Sequence, residues 1–200
     1  MAALAYNDDF LQIVASGDHE AYQELWQVLE PLLRRFVRRL IGHAEAVDDV
    51  MQDVSIALYH NLHRIKPIEN IRPYAFGVAR NFCYEELRRQ QRRPTMQMDE
   101  EEIDRAQVSE REALDDDAEW MALYKEVQQA IDRLPEPHRQ TMILFYEEEF
   151  SQAEIALMMN TSVGTVKSRL HYARRALKGL LSPDTLSTLN IAFGRRKNHE

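Results

Sequence analysis

Two hundred residues with 44% hydrophobic content, six glycines and seven prolines allow one or two domains, each with a real core. A single cysteine, Cys83, excludes an internal disulfide and a cysteine-based zinc site, and no window is apolar enough to cross a bilayer. The net charge of −8 argues against nucleic acid only until its distribution is read: Pro94 to Glu119 holds eleven acids against Arg105 and Arg111, a net of −9, so the rest is near +1 with strongly basic patches.

Strand-like alternation is almost absent, so the predicted class is all-α. Asn7, Asp8 and Asp9 interrupt any apolar opening, which excludes a signal peptide, and the expected location is cytoplasmic. Residues 8 to 41 read as two helices, the second started by Asp18. Its apolar face holds Tyr22, Leu25, Trp26, Leu29, Leu32, Leu33, Phe36, Val37 and Leu40, and Pro31 either bends or divides it. Arg34, Arg35, Arg38 and Arg39 cluster at its end, where the negative helix terminus is reason enough for them. Gly42 ends the element.

Residues 44 to 62 form the next predicted helix, with Val47, Val50, Met51, Val54 and Leu58 inward. Asp48, Asp49, Gln52 and Asp53 lie together on another face. Carboxylates this close repel one another. No histidine shares the face and nothing fixes a calcium loop, so no metal is expected. A docking surface for a basic partner explains the cluster better than solvation alone.

His63 to Asn70 reads as a loop broken by Pro67. A helix from Ile71 to Arg93 follows, with Pro73 tolerated in its first turn. Ile71, Tyr74, Ala75, Val78, Ala79 and Phe82 make its predicted buried stripe, with Tyr74 and Phe82 assigned to the core. Arg72, Phe76, Arg80, Tyr84 and Arg88 fall on other faces, and the helix ends in a basic run. Arginines interleaved with aromatics suit single-stranded DNA.

Pro94 to Asp117 reads as an acidic linker, flexible or only partly helical. Residues 118 to 134 resume a helix with Trp120, Leu123, Val127, Ile131 and Leu134. Residues 137 to 148 give another, with Met142, Ile143, Phe145 and Tyr146 apolar. Ser151 to Lys178 reads as helix, tight turn, helix. Ser151 and Glu154 form a capping box, Ile155, Met158 and Met159 recur at helical spacing, and Asn160-Thr161-Ser162 makes the turn. In the second helix Val163, Val166, Leu170, Ala173 and Leu177 make one apolar stripe. Lys167, Ser168, His171, Tyr172 and Arg175 lie opposite, flanked by Arg169, Arg174 and Lys178. Two readings fit: a hairpin with a solvated basic face, and a pair that places its second helix in the DNA major groove. After Leu181 the chain reads as a short polar tail without an assigned role.

In this order AVDDVMQDVSIALY, IRPYAFGVARN with its basic run, the linker, and RLPEPHRQTMILFYEEEFSQAEIALMMNTSVGTVKSRLHYARRALK resemble the extracytoplasmic-function sigma factors, the two-domain branch of the bacterial sigma-70 family. The resemblance spans roughly residues 8 to 181. It implies sigma region 2 at 1–93, an acidic linker at 94–117, sigma region 4 with its helix-turn-helix at 118–181, and a tail at 182–200. It implies a subunit, without enzymatic activity or cofactor, that binds core RNA polymerase and directs promoter recognition and transcription initiation. Asp48, Asp49, Gln52 and Asp53 would dock on the clamp helices of the largest polymerase subunit, and region 4 would meet the flap. Lys66, Asn70, Arg72, Arg80, Asn81, Arg88 and Arg89 match the part that captures and holds the minus-ten strand. Lys167, Ser168, His171 and Tyr172 match the minus-thirty-five reading positions, with Thr165, Arg169 and Arg174 as phosphate contacts. An anti-sigma factor is the implied regulatory partner. Tyr74 stands where the family often has tryptophan, and His171 and Tyr172 occupy variable reading positions, so the promoter sequence does not carry over.

Overall fold

The computed structural model describes residues 8–42, 44–92 and 118–194; the predicted acidic linker at 94–117 lies outside them. The described residues are helical, joined by turns, with no strand among them. They fall into two compact units, one built mainly on the helices before Arg93 and the other mainly on those from Ala118 onward.

The first unit contains α1 (Asp8–Ala15), α2 (His19–Ile41), α3 (Glu45–Asn61) and α4 (Ile71–Arg92). Asp18 caps α2 by accepting from the Ala21 amide at 2.9 Å. The helix runs unbroken through Pro31 to Ile41. Both Pro31 and Gln27, whose carbonyl the proline ring deprives of a donor, face solvent, so water can replace the lost bond. Gly42 closes α2 at φ 74°, a left-handed conformation that glycine takes without strain, and its amide donates to Arg38 O.

Helices α2, α3 and α4 pack pairwise against one another. Val47, Val50, Met51, Val54 and Leu58 point inward as their spacing predicts. Tyr22 ties α2 to α3 by donating its hydroxyl to Ser55 O at 2.7 Å.

The stripe of α4 differs from the prediction. Ile71, Ala75, Phe76, Ala79 and Cys83 are buried, whereas Tyr74, Val78 and Phe82 are only half-buried. The buried face is turned about one residue from the predicted one. Phe76 is fully enclosed against Phe36, with ring centroids 5.0 Å apart. The aromatic partner on α2 decides which ring enters the core. Cys83 shares this face, and burial pushes its thiol up to about 12, so it is an inert packing residue.

The segment between α3 and α4 is held more firmly than a loop need be. Leu62, Ile65 and Ile68 are buried, and short 3-10 turns form at Leu62–Arg64 and Ile68–Asn70, both against α1. His63, Arg64, Lys66 and Pro67 stay exposed.

The second unit contains α5 (Ala118–Asp132), α6 (Glu136–Met142), α7 (Gln152–Met158), α8 (Val163–Leu180) and α9 (Pro183–Gly194). The helix predicted over 137–148 becomes α6 followed by a π turn, Ile143–Glu147. The Glu148 amide reaches back five residues to Ile143 O at 3.0 Å. This extra residue per turn rotates the side chains. Met142, Ile143 and Leu144 go inside, while Phe145 and Tyr146, two of the predicted apolar positions, are half-buried.

The predicted polar tail is also corrected. Residues 183–194 form α9, capped by Ser182 with Pro183 opening the helix. It is tied to α5 through Glu126, whose carboxylate accepts from the Ser182 amide at 2.6 Å and from the Ser182 hydroxyl at 3.1 Å.

Candidate nucleic-acid and polymerase-binding surfaces

In the helix-turn-helix of the second unit, the Ser151 amide donates to Glu154 Oε2 at 2.8 Å, and the Glu154 amide donates to Ser151 Oγ at 3.2 Å. The reciprocal capping box predicted for α7 is complete. Asn160 makes the turn at φ 46°, a conformation its short side chain tolerates, and the Thr161 amide donates to Ala156 O at 2.9 Å. Ser162 then caps α8 by accepting from the Thr165 amide at 3.0 Å.

Along α8, Val166, Leu170, Ala173 and Leu177 are buried. Val163, predicted as part of that stripe, is exposed as the first residue of the helix. Lys167, Ser168, His171, Tyr172 and Arg174 are exposed, and Thr165 and Arg169 are half-buried. The predicted reading residues therefore share an open face. Tyr172 is 60% exposed, with the His171 ring 5.7 Å and the α6 His138 ring 6.5 Å away, both edge-on.

Thr165 and Arg174 of this set are held by side chains of the same unit. Thr165 shares a 2.9 Å hydroxyl contact with Ser162 at the cap. Arg174 donates from Nε to the Tyr146 hydroxyl at 2.8 Å, and its guanidinium lies within 6 Å of the Phe145 and Tyr146 rings. The π turn thus supplies an aromatic seat for an arginine of α8. Sequence reasoning missed it, because an i→i+5 turn leaves no mark in apolar spacing.

In the first unit, Asp48, Asp49, Gln52 and Asp53 are all exposed on α3. They are not equivalent. Asp48 pairs with Arg34 of α2 at 2.5 Å, and Arg34 is held in turn by Glu30. The Arg34 hydrogen bond and charge hold the Asp48 carboxyl below the usual carboxylate range. Arg34 therefore answers to side chains beside it rather than to the terminus of α2; only Arg38 and Arg39 of the cluster sit in the last turn. A groove of about 440 Å³ opens beside this pair, lined by Trp26, Glu30, Arg34, Asp48, Met51 and Gln52 among others.

The residues predicted for strand binding occupy the 62–70 segment and α4. Lys66 is exposed, and Asn70 is half-buried, its amide donating to Pro67 O at 3.1 Å. Arg72 lies over the Phe76 ring, 5.4 Å from its centroid. Farther along α4, Asn81, Arg88 and Arg89 are exposed and Arg80 is half-buried. Arg89 pairs at 2.7 Å with Glu86, a buried carboxylate that also accepts from Gln90 at 2.9 Å. Glu86 gives Arg89 a fixed local partner, which the one-turn spacing could have signalled. Among the described residues no group of histidines, cysteines and carboxylates could hold a metal ion, and no helix is long and apolar enough to cross a membrane.

Fold and surface define an all-helical protein with a helix-turn-helix in one unit and a basic, aromatic-bearing helix in the other. Residues 25–93 match the family described as sigma-70 region 2, and residues 124–177 match sigma-70 region 4. The ECF RNA polymerase sigma factor EcfG of Rhodopseudomonas palustris is 30% identical over 156 residues, covering 77% of this chain and 81% of that protein. SigW of Bacillus subtilis, also an ECF sigma factor, is 26% identical over 172 residues, covering 82% and 91%. The fold is also that of CnrH, solved with the cytosolic domain of CnrY (TM-score 0.61, 23% identity, 86% of this chain and 94% of that one). The sigma factor RpoE of Bartonella quintana, solved with the anti-sigma factor NepR, gives a TM-score of 0.63 at 21% identity over 82% and 98% of the chains. The chain belongs to the extracytoplasmic-function sigma factors of the sigma-70 family. It is an RNA polymerase sigma factor, a protein of transcription initiation.

Proposed function

We propose that this sigma factor works without a catalytic centre or cofactor of its own, through three surfaces. The α3 face of Asp48, Asp49, Gln52 and Asp53 docks on a basic element of core RNA polymerase, the clamp helices of the largest subunit. Lys66, Asn70, Arg72, Arg80, Asn81, Arg88 and Arg89 hold the minus-ten strand once it is melted. Lys167, Ser168, His171 and Tyr172 read the minus-thirty-five duplex, with Thr165, Arg169 and Arg174 beside the phosphates and region 4 against the flap. The protein acts in the cytoplasm, and an anti-sigma factor holds it inactive by covering these surfaces, as the complex of the Bartonella quintana sigma factor with NepR suggests by analogy.

One observation carries the reading. In α8 the capped first turn and the buried Val166, Leu170, Ala173 and Leu177 leave Lys167, Ser168, His171 and Tyr172 together on the opposite, open side. A helix so seated, with donors outward, has the form that enters a major groove.

Run-off transcription with purified core polymerase tests it. Adding the protein to core should produce discrete new transcripts from its own promoters. A preparation free of bound inhibitor that forms no such transcripts would leave only a helix-turn-helix regulator.

A further inference from the structure

Arg80, Tyr84 and Arg88 stand four residues apart on α4, so they line one side of the helix. The Arg80 guanidinium carbon lies 4.6 Å from the centroid of the Tyr84 ring and that of Arg88 lies 5.9 Å from it. Both distances fall within the roughly 6 Å over which an aromatic face holds a cation. Arg80 also donates to Asn81 Oδ1 at 3.3 Å. Arg80 and Tyr84 are half-buried and Arg88 is exposed, so the row meets solvent.

One ring therefore orients two cations. A solvated arginine samples many rotamers and must give them up when it grips a ligand. Two guanidiniums held by a shared ring have surrendered part of that freedom beforehand. The helix rise of about 1.5 Å per residue sets their Cα atoms about 12 Å apart along the axis. Both side chains lean toward the one ring, so the charges stand closer than the Cα atoms, at 4.6 and 5.9 Å from its centroid, yet two cations spread along a helix still suit a polyanionic strand better than one small anion. Arg89, one residue on, differs in being tied to Glu86.

We propose that Tyr84 is a positioning residue for single-stranded DNA: its ring aligns Arg80 and Arg88 in advance along the path of the unpaired promoter strand. The inference rests on the reading of α4 as the strand-holding helix, and the experiment separates the two. Neither cation nor ring depends on base identity, so Tyr84 contributes to affinity and not to sequence preference.

The protein, reconstituted with core polymerase, is titrated with a fluorescent single-stranded oligothymidylate over a range of salt concentrations. Four variants are compared: Tyr84→Phe, Tyr84→Leu, Arg80→Gln, and Tyr84→Leu with Arg80→Gln. Tyr84→Phe keeps the ring and should bind as the parent does. Tyr84→Leu should bind about two- to fivefold more weakly, the range of an exposed cation–ring contact. Its salt slope should stay unchanged, because both arginines still reach phosphate. Arg80→Gln should weaken binding and lower the slope of log K against log salt by about 0.7, one single-strand phosphate contact. In the double variant the two losses should not multiply, since the ring has one arginine fewer to align.

A structural role alone would make the losses multiply, and that result overturns the proposal. So does normal binding by Tyr84→Leu while Arg80→Gln is impaired. Normal binding by Arg80→Gln overturns the strand-holding reading of this helix along with it.

Discussion

The Thr185 hydroxyl donates to Glu126 Oε2 at 2.5 Å, joining the last described helix to α5 across 59 residues. With the amide and hydroxyl of Ser182, one carboxylate gathers three donors. The Thr185 hydrogen bond, then the Ser182 amide, hold the Glu126 carboxyl below its ordinary 4.5. A carboxyl depressed in the folded state stabilises most when ionised in both states. This contribution is therefore complete above the ordinary glutamate value and is lost as pH falls through the lower folded value. Amide protection at Ser182 and Thr185 should fall on acidification in that window. Glu126→Gln should lower it already at neutral pH, as hydrogen exchange would read. Unchanged protection in the variant would mean that α9 is held by something other than this carboxylate.

Phe76 is the second point of test. Its ring is fully buried beside Phe36, whereas Phe82, six residues on, is half-buried. Phe76→Ala should cost about 3–5 kcal/mol of unfolding free energy in chemical denaturation. Phe82→Ala should cost much less. Equal losses would contradict the rotated face of α4.

Asp49→Arg combined with Asp53→Arg should weaken competition for core polymerase at least tenfold, about 1.4 kcal/mol, by setting like charges against a basic partner. Both positions are exposed, so the variant should melt as the parent does. Undiminished competition would remove this face from the polymerase contact.

Lys167→Ala distinguishes a base contact from a phosphate contact on α8. A base contact should relax preference at one position of the upstream element by roughly 1–3 kcal/mol, measured over a panel of single-base variants. A uniform loss across the panel would assign Lys167 to the backbone.

Much of this was legible in the residues. Helical period located α2, α3 and the buried side of α8, and the capping box at Ser151 and Glu154 fixed the start of α7. The misses have two physical causes: partners distant in the chain, and a local turn that apolar spacing does not mark. Whether Phe76 or Phe82 enters the core is decided by Phe36 of α2, not by the spacing within α4. The π turn at 143–147 rotates Phe145 and Tyr146 outward without any break in apolar content. Ser182-Pro183 did carry a local signal, a capping residue followed by proline, but the reason α9 stays in place is Glu126, more than fifty residues earlier. The open position of the reading set on α8 followed from period alone, whereas the pairing of Asp48 with Arg34 required α2 and α3 side by side.

The 62–70 segment has a consequence of another kind. Its shape is kept by Leu62, Ile65 and Ile68, three apolar residues turned into the unit, while His63, Arg64, Lys66 and Pro67 between them are exposed. Shape and chemistry are thus assigned to different letters of the same short stretch. The outer letters can be rewritten in the course of evolution without refolding the inner ones, so a lineage can acquire a new target by changing a few side chains on an inherited frame.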